Sequence, residues 1–62
     1  MSEIERAIIL MRRHKITQRE VAAQAGYTED WVSMILREKA VSESAVMKIV
    51  NAIETIIKNR TA

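Results

Sequence analysis

A chain of 62 residues with ten basic side chains, eight acidic ones, one glycine, no proline and no cysteine is expected to form one domain, close to the size at which a single apolar core barely suffices. The lack of cysteine excludes disulfides and thiolate metal ligands and fits a reducing cytosol. A single histidine among scattered carboxylates offers no metal site, no nucleophile–base pair and no phosphate loop, so neither an enzyme nor a cofactor is expected.

The longest apolar run, residues 7–11, is far short of a membrane span. The acids Glu3 and Glu5 at the start are unlike a signal peptide, and a cytoplasmic protein without a membrane partner is expected. The stock of Ala, Leu, Met, Glu, Lys, Arg and Gln, with almost no turn formers, points to an all-α chain. A net charge of +2 says less than its arrangement. Arg12, Arg13, Lys15 and Arg19 run without an acid until Glu20, with His14 among them, and Arg37 and Lys39 make a second basic group. Such runs suit helix C-termini and also suit an anionic partner.

The first helix should start after Ser2, which stands to Glu5 at capping-box spacing, and should bury Ile4, Ala7, Ile8 and Met11. Thr17 and Glu20 repeat the spacing for a second helix, whose inward face is Val21, Ala22 and Ala25. Gly26, the one glycine, falls where a left-handed residue closes a helix. Only Tyr27 then precedes Thr28, the cap expected for a third helix from about residue 29 to 36 or 37. That helix should bury Val32 and Ile35 together with Trp31 or Leu36, with Trp31 placed at the edge of the core in preference to a groove contact. Residues 38–41 read as a loop. Ser42 caps a fourth helix with the stripe Val46, Ile49, Val50, Ile53, Ile56 and Ile57, which either runs on unbroken or kinks near Glu54. His14 reads as a solvated helix-end residue.

Two short helices joined by a tight turn containing glycine describe a helix-turn-helix, here at about residues 18–37. Ala22 is small where the helices would cross, Gly26 supplies the positive φ that aims the next helix, and Val32 plugs the angle between them. The stretch "TQREVAAQAGYTEDWVSMILREK" resembles the helix-turn-helix of the lambda-repressor/Cro-like (XRE-type) phage and bacterial regulators, and "VSESAVMKIVNAI" is similar to that family's fourth helix. The tail "ETIIKNRTA" departs from it, with Glu54 where a glycine is usual. The resemblance implies a four- to five-helix lambda-repressor-like DNA-binding domain over residues 1–62. It also implies sequence-specific binding of double-stranded DNA, with the protein a homodimer on a two-fold operator.

If the third helix enters a major groove, its exposed face supplies the base contacts: Thr28, Glu29, Asp30, Ser33, Met34 and Arg37. Arg37 can donate to guanine O6 and N7, and Met34 can meet a thymine methyl. Glu29 and Asp30 either accept from cytosine N4 or only complement the helix dipole, and both face repulsion from phosphates. Gln18, Arg19, Lys39, Ser42 and Ser44 are the expected phosphate contacts. Val46, Ile49, Ile53 and Ile56 fall at a/d-like spacing, which suits either a dimer seam or closure of the core; within residues 53–62, Ile53, Ile56 and Ile57 are the expected dimer contacts. A chain of this length leaves no room for a separate ligand-sensing domain, so no small-molecule ligand is expected. A protein-interaction module on the same fold, such as an antirepressor or an antitoxin, is the alternative.

Overall fold

The computed structural model describes residues 2–37 and 42–61, and everything stated of the structure concerns these. It is all-helical: α1 (Glu3–His14), α2 (Gln18–Ala25), α3 (Glu29–Arg37) and α4 (Glu43–Thr61), with no strand among the described residues. The loop expected over residues 38–41, and Lys39 within it, lie outside the described residues.

Each helix starts at a side-chain cap. Thr17 Oγ1 accepts from the Glu20 N–H at 3.1 Å, and the Thr17 N–H donates to Glu20 Oε1 at 3.1 Å, the full capping box. Ser2 accepts from the Glu5 N–H at 3.1 Å, but the Glu5 carboxylate meets the Ser2 hydroxyl, so only half of the expected box forms. Thr28 accepts from the Trp31 N–H and Ser42 from the Ala45 N–H. Each such bond satisfies a backbone donor that the first helical turn leaves without a partner.

The helix ends differ from one another. Gly26 closes α2 at φ 78°, its N–H and that of Tyr27 both donating to the Ala22 carbonyl at 2.9 Å. α1 ends on Lys15 at φ 54°, a left-handed residue without the glycine that usually takes that place. The following N–H, from Ile16, donates to the Met11 carbonyl at 2.8 Å, and Ile16 itself joins Met11 in the core. An apolar residue just past a left-handed close often packs back on the last turn in this way. Burying Ile16 therefore offsets the cost of about 1–2 kcal/mol for a side-chain-bearing residue in that backbone region.

α4 runs unbroken to Thr61 and packs on α1 and α2, with a smaller contact to α3, while α2 and α3 pack on each other. No proline or glycine interrupts residues 43–61, so nothing imposes a kink near Glu54. The core holds Ala7, Met11, Val21, Ala22, Val32, Ile35, Ile49, Val50 and Ile53, as the periodicity predicts, together with Ile16, Ala45 and Ala52. Ile4, Ile8, Val46, Ile56 and Ile57 are only half-buried.

Ile53 has no exposed surface. It belongs to the chain's own core, and a partner could reach it only by opening that core, which corrects its assignment to a dimer seam. Ile56 and Ile57 also pack against the core, leaving their outer edges open. The end of α4 is pinned further by Arg60, whose guanidinium donates to Glu20 Oε2 at 2.5 Å and to the His14 carbonyl. One side chain thus ties the last turn of α4 to the close of α1 and the start of α2. His14 is half-buried at this junction rather than solvated.

Glu20 sits at the centre of this joint. The Thr17 N–H, then the Arg60 guanidinium, hold its carboxyl below the usual carboxylate range, against a smaller opposing effect of burial. A carboxyl with a depressed folded-state pKa adds stability above its unfolded value and loses it as pH falls through the folded one. Acid titration of the wild type is therefore expected to show a loss of stability that Glu20→Gln lacks, read from urea midpoints at neutral and acid pH. Equal pH dependence in the two proteins would remove the joint from the account.

Candidate nucleic-acid interface

The face that α3 turns to solvent is fixed by the face it buries. Val32 and Ile35 have no exposed surface, which places Glu29, Asp30, Met34 and Arg37 on the open side, with Ser33 half-buried beside them. Thr28 is exposed and occupied as the cap of the helix. Met34 keeps 40 % of its surface open. Helical geometry puts residues three and four apart on one face, so Asp30, Ser33, Met34 and Arg37 form one strip along α3.

Trp31 departs from expectation. It is 39 % exposed rather than tucked at the core edge, and it meets Tyr27 edge-on with ring centroids 6.3 Å apart. Lys48 of α4 stands 5.6 Å from the centre of the Tyr27 ring, a cation over an aromatic face. The turn before α3 is thus gripped from α4, and Trp31 adds an apolar surface beside the strip. Helical spacing alone could not separate a core-edge tryptophan from an exposed one, because Trp31 adjoins the buried stripe.

Of the expected phosphate contacts, Gln18 opens α2 and is exposed. Arg19, one residue on, lies 3.7 Å from the Glu29 carboxylate, both well exposed. A solvated pair of this kind contributes little to stability, but it neutralises one of the two awkward acids on the strip and leaves Asp30 as a carboxylate without a cation partner among the described residues. Ser42 and Ser44 are exposed at the start of α4, with their hydroxyls 3.4 Å apart.

The structure also assembles residues that the sequence leaves apart. Arg12 and Lys15 from the end of α1, Gln18 from the start of α2, and Arg37 from the end of α3 line one cleft. Arg12 and Lys15 are absent from the contacts expected from sequence. Their only signal there is the basic run, which the C-terminal dipole of α1 already explains. Among the described residues no group of His, Asp and Glu could hold a metal ion, and no helix is long and apolar enough to cross a membrane.

No protein-family description matches this chain, and no characterised protein or solved structure matches it. The fold and the disposition of these side chains are therefore what a functional reading rests on, together with the helix-turn-helix resemblance of the sequence.

Proposed function

We propose that this chain is a sequence-specific DNA-binding transcriptional regulator, a Cro-like phage or bacterial repressor that occupies a two-fold operator as a dimer, with α3 in the major groove. The observation that carries the reading is the pairing of α2 and α3 through a turn closed by left-handed Gly26, with the open face of α3 holding Asp30, Met34 and Arg37. A helix presented in this way fits the major groove.

In this reading Ser33, Met34 and Arg37 meet base edges, and Thr28 lies at the entry of the helix. Asp30, and Glu29 when released from Arg19, accept from cytosine N4, each such contact being worth about 1–3 kcal/mol of discrimination. Gln18, Arg19, Lys39, Ser42 and Ser44 hold phosphates, which position the protein without reading sequence. The open edges of Ile56 and Ile57 supply the apolar part of the dimer contact. Such a protein works in the cytoplasm on the nucleoid, regulated by its own concentration or by a competitor.

Selection from a random duplex library at low salt tests this. The expected result is an enriched palindrome, bound with an affinity that falls as salt rises, the logarithmic slope being about −0.9 for each phosphate engaged. Cytosines that change identity when Asp30 is replaced by asparagine would assign that carboxylate to base readout. No enrichment from a protein with helical circular dichroism would favour the second reading, a protein-interaction module on the same fold (an antirepressor or an antitoxin). The exposed carboxylates of Glu29 and Asp30, repelled by phosphates, are the observation behind that alternative.

A further inference from the structure

We infer that the cleft between the ends of α1 and α3 is a docking site for a protein segment that carries an aliphatic side chain between carboxylates. This goes beyond the DNA-binding reading and does not depend on it. The cleft is an open hollow of about 600 Å³, with Ile8, Met11, Ile16 and Leu36 supplying its apolar lining. Met11 and Ile16 are nearly covered by the core beneath, while Ile8 and Leu36 are half-buried and present their open sides to the cleft. Arg12, Lys15 and Arg37 stand beside this apolar lining.

Arg6 pairs with Glu54, Arg19 with Glu29, and Arg60 with Glu20, whereas Arg12, Lys15 and Arg37, like Arg13, Lys48 and Lys58, have no carboxylate partner among the described residues. What sets Arg12, Lys15 and Arg37 apart is that they line one cleft. Complementing a helix dipole explains a basic last turn on α1 or on α3 separately. It does not explain why the two ends converge on one apolar hollow. The left-handed close at Lys15 turns the chain there and brings Gln18 to the same rim.

Charge complementarity and the apolar lining together select the occupant. Clusters of arginine recognise acidic segments, and a pocket of this size lined by aliphatic side chains accepts an apolar anchor. A duplex phosphate would satisfy the cations and leave the apolar lining uncovered. An acidic segment with a leucine, isoleucine or valine at its centre satisfies both. A partner seated there covers Gln18 and Arg37, so it would compete with any DNA that uses them.

The test pans a random-peptide library against the full chain and measures the affinity of the selected peptides by fluorescence anisotropy. The expected consensus is an aliphatic residue flanked by Asp or Glu. These peptides should bind Arg12→Glu/Lys15→Glu at least about tenfold more weakly, because the reversed charges now face their carboxylates. They should bind Arg6→Glu, which changes charge on another face, as they bind the wild type. Arg12→Gln/Lys15→Gln replaces the reversal variant if that one loses its helical circular dichroism. The inference is overturned by a library that yields no binder, by selected peptides without acids, or by equal affinity for both proteins. It is also overturned if the double variant weakens duplex binding and leaves peptide binding unmoved, which would make the cleft part of a DNA surface. A wild type that binds peptides and no duplex would leave this site standing and remove the DNA-binding proposal.

Discussion

Replacing Ile53 with alanine is expected to remove about half or more of the stability of this protein. Truncating a fully buried isoleucine costs about 2–5 kcal/mol, the transfer of the lost methylene and methyls plus the cavity they leave. At about 0.05–0.15 kcal/mol per residue, a chain this size has roughly 3–9 kcal/mol in all. Ile53 has no exposed surface and belongs to the same cluster as Ile35 and Ile49, so no polar neighbour or water can fill the space. Ile57→Ala, at a half-buried position, should cost roughly 1 kcal/mol for the apolar area it already hides. Urea unfolding followed by far-ultraviolet circular dichroism gives both numbers. The cost at Ile53 should be the same at every protein concentration, since the contact lies within one chain. A cost that grows on dilution, or one smaller than at Ile57, would return Ile53 to a subunit interface.

The residues that were legible in the sequence are those whose physics is local. Thr17, Thr28 and Ser42 cap because a side-chain oxygen three residues ahead of an N–H can do so wherever it occurs, and all three do. Gly26 is legible because only one residue in the chain takes a left-handed turn without cost. The close of α1 is not, because Lys15 adopts the same region through the later burial of Ile16, a tertiary contribution that overrides the preference of the residue. Ala45 and Ala52 in the core escape a periodicity reading because alanine is helix-forming on any face. Ile53 was ambiguous for a related reason: a repeat of 3.5 and one of 3.6 coincide over two turns, so one stripe fits a core or a seam. The Arg60 contacts span 40 and 46 residues, beyond any local pattern. On the candidate interface the outward strip of α3 follows directly from burying Val32 and Ile35. The cleft does not, since its walls come from two stretches of chain, residues 8–18 and 36–37, that only tertiary packing brings together.

Gly26→Val is the substitution in which local backbone and candidate function meet most directly. The backbone there stands at φ 78° and ψ 29°, and a Cβ added to it would meet nothing within 4 Å. Steric room is thus not the obstacle, and the whole cost is conformational. An L-residue in the left-handed region costs about 1–2 kcal/mol, and a β-branched one more. A series should therefore order Asn, Ala and Val by increasing loss of stability, with Val at about 2–3 kcal/mol. The chain can relieve that strain only by giving up the two bonds from Gly26 and Tyr27 to the Ala22 carbonyl, which are what hold the start of α3 in place. Tyr27 would move with them, and its contacts with Trp31 and Lys48 would go. Fluorescence of Trp31, the one tryptophan, then reports the turn separately from global unfolding. Duplex affinity should fall further than stability under conditions where the variant stays folded, because the helix is re-aimed before it melts. Should valine cost no more than alanine, with Trp31 emission unchanged, the turn would not be what sets the direction of α3, and the Lys48 contact with Tyr27 would have to carry that role.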